Sequence, residues 1–402
     1  MKKIYFIIIF IFVISFTINI KALDINSKYA TIYNLNDNEI VYSKNSNEII
    51  SIASLTKIMT SIVAIENIQD INAKVMVPYG TNDGLIEQNA ARVGFFEGGV
   101  VTYSDLLHGA LLPSGADATR ALAILISGSE NEFAKLMNKK AKEIGMKNTN
   151  FVNSSGLDTN NHYSTIDDLL ILLKYSLKNE TFKKIYETKS YTSSDNNFYM
   201  ESTVEKSGKR FNIDVSHIKG SKTGFTYDAG YCLASELVLS DTTFLVITAG
   251  SPIDDKPYHI IDFNTIYNYL NDSYSMRDIL KTNALALTLK PEYSKEKEIK
   301  FYTNKTITKF IKNDEEIKID YVYNGKENLF GNEKKGTHLG YIDVVYKNKV
   351  IDTIDVILNQ DLTFDYFKYL KQYWYFVPIA GILTFLIIFG IIKYKKHISK
   401  LI

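Results

Sequence analysis

One cysteine, Cys232, is all the chain has in 402 residues. No intramolecular disulfide can form, and the thiol is expected to serve as a small buried hydrophobe. Charge of one sign is missing too: 46 lysines and arginines against 45 acidic residues leave +1. A nucleic-acid-binding chain carries a basic excess or patch, so that partner class is argued against. The six histidines, His108, His162, His217, His259, His338 and His397, are scattered. Neither His-Glu-x-x-His nor clustered Cys/His spacing occurs, so no metal site is expected, and no cofactor.

What is present begins with two apolar ends. Met1-Lys2-Lys3, an apolar run from Ile4 to Ile20, and Lys21-Ala22 have the layout of a signal peptide over residues 1–22. The run is long for a signal, so an uncleaved anchor is also possible; the chain is exported either way. Tyr373 to Ile392 is 20 residues without a charge, enough to span a bilayer. Tyr369, Tyr373, Trp374 and Tyr375 precede it as an interfacial belt, and Lys393, Lys395, Lys396 and Lys400 follow it. That asymmetry predicts a cytoplasmic tail over 393–402 and a body on the extracytoplasmic face of the cell membrane.

Between those ends, 46% hydrophobic residues suffice for two globular domains. Strands are expected around Ala30–Leu35 and Ile40–Ser43, joined at Asn36-Asp37-Asn38. Helices follow, to about Ile68 with Ile58, Ile62 and Ile65 as the apolar side, then at Tyr103–Leu112, through Ile126, at Glu132–Ile144 with Gly145 as stop, and at Thr165–Leu177. From Ser216 the period becomes that of strands, Ile218–Phe225, Gly230–Leu239 and Thr242–Ala249, before a closing helix at Tyr258–Leu270. Strands at both ends with helices between predict a mixed α/β domain over 23–272. Short alternating runs over 276–360 predict a small all-β module without a catalytic cluster, a spacer or interaction unit.

Ser54-Leu55-Thr56-Lys57 opens the first predicted helix. Residues i and i+3 share a helical face, so Lys57 can reach the Ser54 hydroxyl and take its proton. Ser294-Lys295-Glu296-Lys297 has the same spacing inside a polar charge run and is read as chance. A second signal is Lys222-Thr223-Gly224-Phe225 on a predicted strand, where Lys222 would present a cation to a carboxylate and Gly224 would admit a ligand close to the backbone. Lys206-Ser207-Gly208 is a looser copy without strand context. A third, polar element of the cleft has two candidates: Ser114-Gly115-Ala116, between apolar helices, and Ser194-Asp195-Asn196, in a stretch composed like a mobile loop.

Together with Ser-x-x-Lys, these motifs resemble the low-molecular-mass penicillin-binding proteins of the D-alanyl-D-alanine carboxypeptidase family, peptidase family S11. Ala53 to Lys57, Leu111 to Ala118, Phe133 to Asn138, Gly145-Met146, Gly156-Leu157-Asp158, His162 to Thr165, Lys222 to Thr226 and Ala229-Gly230-Tyr231 occur in family order. The resemblance implies a penicillin-binding, β-lactamase-like fold and selects Ser114 over Ser194. It implies hydrolysis of peptidoglycan stem peptides ending in D-Ala-D-Ala, and covalent binding of β-lactams. It gives Ser54 the role of nucleophile, Lys57 of base and Ser114 of proton relay. Lys222 and Thr223 hold the terminal carboxylate, Gly224 and Phe225 continue that substrate-binding strand, and the amides of Ser54 and Phe225 form an oxyanion hole. Where the family has asparagine, this chain has Ala116. A class A β-lactamase would need a deacylating glutamate, and no Glu-x-x-Leu-Asn stretch follows Ser114. The same motifs would also suit an endopeptidase acting on cross-links, and Ala116 would suit a non-catalytic wall-binding protein.

Overall fold

The structure, a computed structural model, describes residues 23–326 and 328–398. The expected signal segment, 1–22, and tail residues 399–402, including Lys400, lie outside the described residues. The chain divides into two compact units between Tyr274 and Ser275.

In the first unit, β1 (Tyr29–Asn34) and β2 (Glu39–Lys44) form the predicted hairpin. The chain then leaves the sheet for α1 (Thr56–Asn67), a ribbon of β3 (Lys74–Met76) with β4 (Val100–Thr102), α2 (Tyr103–Leu111) and α3 (Ala116–Ser127). Next come α4 (Glu130–Ile144), α5 (Ile166–Ser176), α6 (Glu180–Tyr186), a ribbon of β5 (Ser190–Thr192) with β6 (Tyr199–Glu201), and α7 (Thr203–Phe211). It returns as β7 (Ile218–Thr226), β8 (Gly230–Leu239) and β9 (Thr242–Ser251), and closes with α8 (Tyr258–Ser273). The sheet has five strands in the order β2-β1-β9-β8-β7, antiparallel throughout. The first strand therefore pairs with one of the last, Ala30 opposite Thr248. Helix α8 packs on β8 and β9, and α5 on β1 and β9. Strands covered this way read as continuous apolar runs such as Phe244-Leu245-Val246-Ile247.

Helix α1 is the centre of the helical layer, with α2, α3, α4, α5 and α6 packed around it. Every residue from Thr56 to Ile65 is buried. The sequence predicts one apolar side; the polar flank of Thr56, Lys57, Thr60 and Ser61 is buried as well. A buried polar group needs partners, and the loop over residues 152–156 supplies them for two of these: Thr60 Oγ1 donates to Ser154 O at 2.6 Å and Lys57 Nζ to Ser155 O at 2.5 Å. Helix α6, the β5–β6 ribbon and α7 were not visible as elements in the sequence, being short and polar.

The second unit is sheet-rich, as predicted. A three-stranded sheet, β14 (Ile319–Gly325), β15 (His338–Tyr346) and β16 (Lys349–Ile357), stands beside two ribbons, β10 (Tyr274–Leu280) with β13 (Ile307–Lys312) and β11 (Leu285–Leu289) with β12 (Ile299–Tyr302). After a short α9 (Tyr366–Gln372) comes α10 (Phe376–Ile398), of which Phe376–Lys396 is 21 residues long and apolar enough to cross a membrane. Ser294, the discounted copy, hydrogen-bonds Glu296 and Thr363 O in this unit, with no helix behind it.

The segment leading into β1 is tied down by one carboxylate. Asp262, fully buried on α8, accepts from Asn26 N and Nδ2, both at 2.8 Å, and from Ser27 N at 2.7 Å and Ser27 Oγ at 2.5 Å. Asp262→Ala strands these donors and is expected to cost about 3 kcal/mol, read as a lower urea midpoint with an unchanged slope.

Candidate active site

The nucleophile candidate sits on a turn that its own neighbours shape. Ala53 adopts φ +44°, the left-handed region, and Ala53–Leu55 form a single 3₁₀ turn running straight into α1. A Cβ at Gly156 would meet Ala53 O at 1.9 Å, and one at Gly224 would lie 3.1 Å from Ser54 N. Close backbone approach therefore requires glycine at 156 and leaves little room for a side chain at 224. The sequence expects Gly224 to admit a ligand; although it borders the cleft, the space its missing side chain frees holds the Ala53–Ser54 turn.

From the first turn of α1, Lys57 Nζ donates to Ser54 Oγ at 2.8 Å and to Ser155 O at 2.5 Å. Lys57 is 2% exposed. Burial pushes its amine down to about 7, against the opposing pull of Asp117 and Glu130. Neither carboxylate pairs directly with it. Asp117 accepts the amides of Val93, Gly94, Phe95 and Ala118, and Glu130 accepts Ser154 N and Oγ and pairs with Arg120 at 3.3 Å.

Ser114 lines the same cleft from the α2–α3 loop, buried and left-handed at φ +66°. Its loop is pinned by Gly115 N to Gly109 O at 2.8 Å and Ala116 N to Ala91 O at 2.7 Å. Ser194 is elsewhere. It lies at the turn of the β5–β6 ribbon, donating through N and Oγ to Asp105 at 2.8 and 2.7 Å, and does not line the cleft. The loop composition of this stretch is thus accompanied by a tie to Asp105.

Strand β7 forms the opposite wall. Thr223 and Phe225 line the cleft, and Thr223 Oγ1 shares a 2.6 Å hydrogen bond with Thr203 Oγ1 at the start of α7. Lys222 alternates to the buried face with Gly224. It is fully buried, and its Nζ donates to Thr223 O at 2.8 Å. Burial first, then repulsion from Lys57, hold its amine well below the usual lysine range. The expected cation is thus buried on the Gly224 side of the strand, the side that meets the Ala53–Ser54 turn. Phe225 packs on Tyr231 at 4.6 Å, and Tyr231 stacks on His259 at 5.0 Å.

The cleft encloses about 570 Å³ and gathers Ser54, Lys57, Ser114, Thr223, Gly224 and Phe225. Sequence reasoning missed Thr203 and Ser207, which line it from α7. Ser207 belongs to the discounted Lys206-Ser207-Gly208, where helical rather than strand context turns the serine inward and leaves Lys206 exposed. Serine, lysine and a second hydroxyl facing one cleft can carry out acyl transfer: nucleophile, base and proton relay.

The family profile of peptidase S11, D-alanyl-D-alanine carboxypeptidase, matches residues 17–251. The D-alanyl-D-alanine carboxypeptidase DacF of Bacillus subtilis is 28% identical over 340 residues, 84% of this chain and 86% of that protein. The D-alanyl-D-alanine endopeptidase of Escherichia coli is 30% identical over 222 residues, covering 54% of this chain and 69% of that one. Among solved structures, penicillin binding protein 5 from Haemophilus influenzae superposes with a TM-score of 0.60 at 23% identity, covering 85% of this chain and 98% of that chain, a likeness of fold. The profile match over more than half of its length shows that this chain belongs to the D-alanyl-D-alanine carboxypeptidase family, peptidase S11.

Proposed function

We propose that this protein is a serine D-Ala-D-Ala carboxypeptidase that trims peptidoglycan stem peptides through an acyl-enzyme on Ser54 and is acylated by β-lactams. The observation that carries the reading is the 2.8 Å contact between Ser54 Oγ and a buried Lys57 whose amine lies at about 7. Ser54 Oγ attacks the carbonyl of the penultimate D-alanine while neutral Lys57 takes its proton. The oxyanion develops toward the N–H groups of Ser54 and Phe225. Ser114 passes a proton to the amine, the C–N bond breaks and D-alanine leaves; water then hydrolyses the ester. Lys222 and Thr223 receive the terminal carboxylate. Residues 23–272 carry the chemistry, and 276–360 act as a spacer or interaction module. The apolar helix anchors the chain with its body on the extracytoplasmic face, an orientation supported by Lys393, Lys395 and Lys396 at its far end. Cleavage of D-alanyl cross-links is the second reading, favoured by the likeness to a protein named as an endopeptidase; product analysis separates the two.

Ser54→Ala is expected to abolish covalent labelling by fluorescent penicillin and release of D-alanine from a stem peptide, while Ser294→Ala leaves both intact. Labelling that survives in the Ser54 variant sinks the assignment.

Only the neutral form of Lys57 accepts a proton, so below pH about 7 the base is lost and above it the base is present. The acylation rate is therefore expected to rise with pH through about 7 and level off. A rate independent of pH between 5 and 9 would remove Lys57 as base.

Ser114→Ala is expected to slow acylation and D-alanine release by about 10²-fold, the scale of general acid–base help. Ser194→Ala, held outside the cleft by Asp105, should leave both rates within about twofold of the parent chain. The opposite pattern would reassign the relay.

A further inference from the structure

The residue before Ser54 is held in a conformation that disfavours any side chain with a Cβ. Besides Gly156 and Gly224, one directed chain of hydrogen bonds ends on it. Val152 N donates to His162 Nδ1 at 3.1 Å, His162 Nε2 lies 2.8 Å from Thr56 Oγ1, and Thr56 Oγ1 donates to Ala53 O at 2.8 Å. A backbone amide can only donate, so Nδ1 is an acceptor and the ring proton sits on Nε2. Nε2 therefore donates to Thr56 Oγ1, whose own hydrogen is committed to Ala53 O. Each link has only one direction. His162 is buried edge-on against Phe151, with ring centroids 5.8 Å apart, and does not line the cleft.

We infer that His162 is a positioning residue: acting through Thr56, it fixes the Ala53 carbonyl and with it the left-handed turn that presents Ser54 Oγ to Lys57. The inference rests on Ser54 being the nucleophile. Thr56 lies between Ser54 and Lys57 in the same first turn, two residues after one and next to the other, so its anchoring bears on both partners of the 2.8 Å contact. The ring serves only when neutral, because an imidazolium would turn a second N–H toward the Val152 amide. Burial and the nearby Lys57 push its pKa down to about 4, which keeps it neutral at physiological pH.

The test is the time course of fluorescent-penicillin acylation in the full chain, resolved into the prior binding constant and the acylation rate constant. Rates are normalised to folded protein by circular dichroism. His162→Ala and Thr56→Val are each expected to slow the acylation rate constant about 10- to 100-fold while leaving binding within about threefold. The double variant should be no slower than the slower single variant, since both break one chain. His162→Gln, whose amide both accepts and donates, should recover most of the rate. Multiplicative effects in the double variant would overturn the inference, as would a His162→Ala rate per folded protein equal to that of the unmodified chain. If the unmodified chain is not labelled at all, the Ser54 reading falls and this inference with it; labelling that is normal in His162→Ala overturns the inference alone.

Discussion

An ammonium group kept away from water is the constraint around which the first unit is built. Lys57 projects from the central helix of the core, where an unpaired charge is costly. Its neighbours moderate that cost without neutralising it. Asp117 and Glu130 pull toward the charged form, but backbone amides and Arg120 already occupy their oxygens. Burial pushes the other way and prevails, and Lys57 in turn repels Lys222, buried in the same interior. The outcome is an amine poised at about 7 rather than in the usual lysine range. A direct carboxylate partner would have locked the proton on; complete isolation would have driven it off.

The second requirement is stiffness. Ala53, next to Ser54, and Ser114 are both non-glycine residues with positive φ, 44° and 66°. Such conformations persist only where surrounding structure over-determines them, and they gather at functional sites. Here the surroundings are glycine contacts and backbone clamps, Gly156 and Gly224 at Ala53 and the Gly115 and Ala116 amides at Ser114. The glycines of these motifs are places where two stretches of main chain nearly touch, as much as places where a ligand enters.

Much of this was legible in the sequence because it is local. The i,i+3 spacing of Ser54 and Lys57 follows from helix geometry, and the β1–β2 hairpin and the runs of β8 and β9 announce themselves by turn residues and period. What escaped was non-local. Strand alternation says that Lys222 and Thr223 face opposite ways, but not which face meets the cleft when both are covered. Thr203 and Ser207 reach the site only because α7 is brought to β7 by tertiary packing. Ser194 carries the composition of a loose loop, and its tie to Asp105, distant in sequence, is not readable from that composition. The buried polar flank of α1 shows the same limit: Thr60 reads as solvent-facing until the loop that accepts its hydrogen bond is in place.

The pairing of β1 with β9 has a consequence for how the molecule comes into being. Ala30 finds its partner at Thr248 only after every helix of the layer between them has been synthesised. Contacts of such sequence separation form late, because the loop-closure entropy must be met before they reward it. A chain that emerges from its amino end cannot complete the sheet piecemeal: the leading strand waits, unpaired on its β9 side, until almost the whole unit has followed. Completion of the sheet, and of the cleft wall that β7 gives to it, thus belongs to the end of the unit's synthesis.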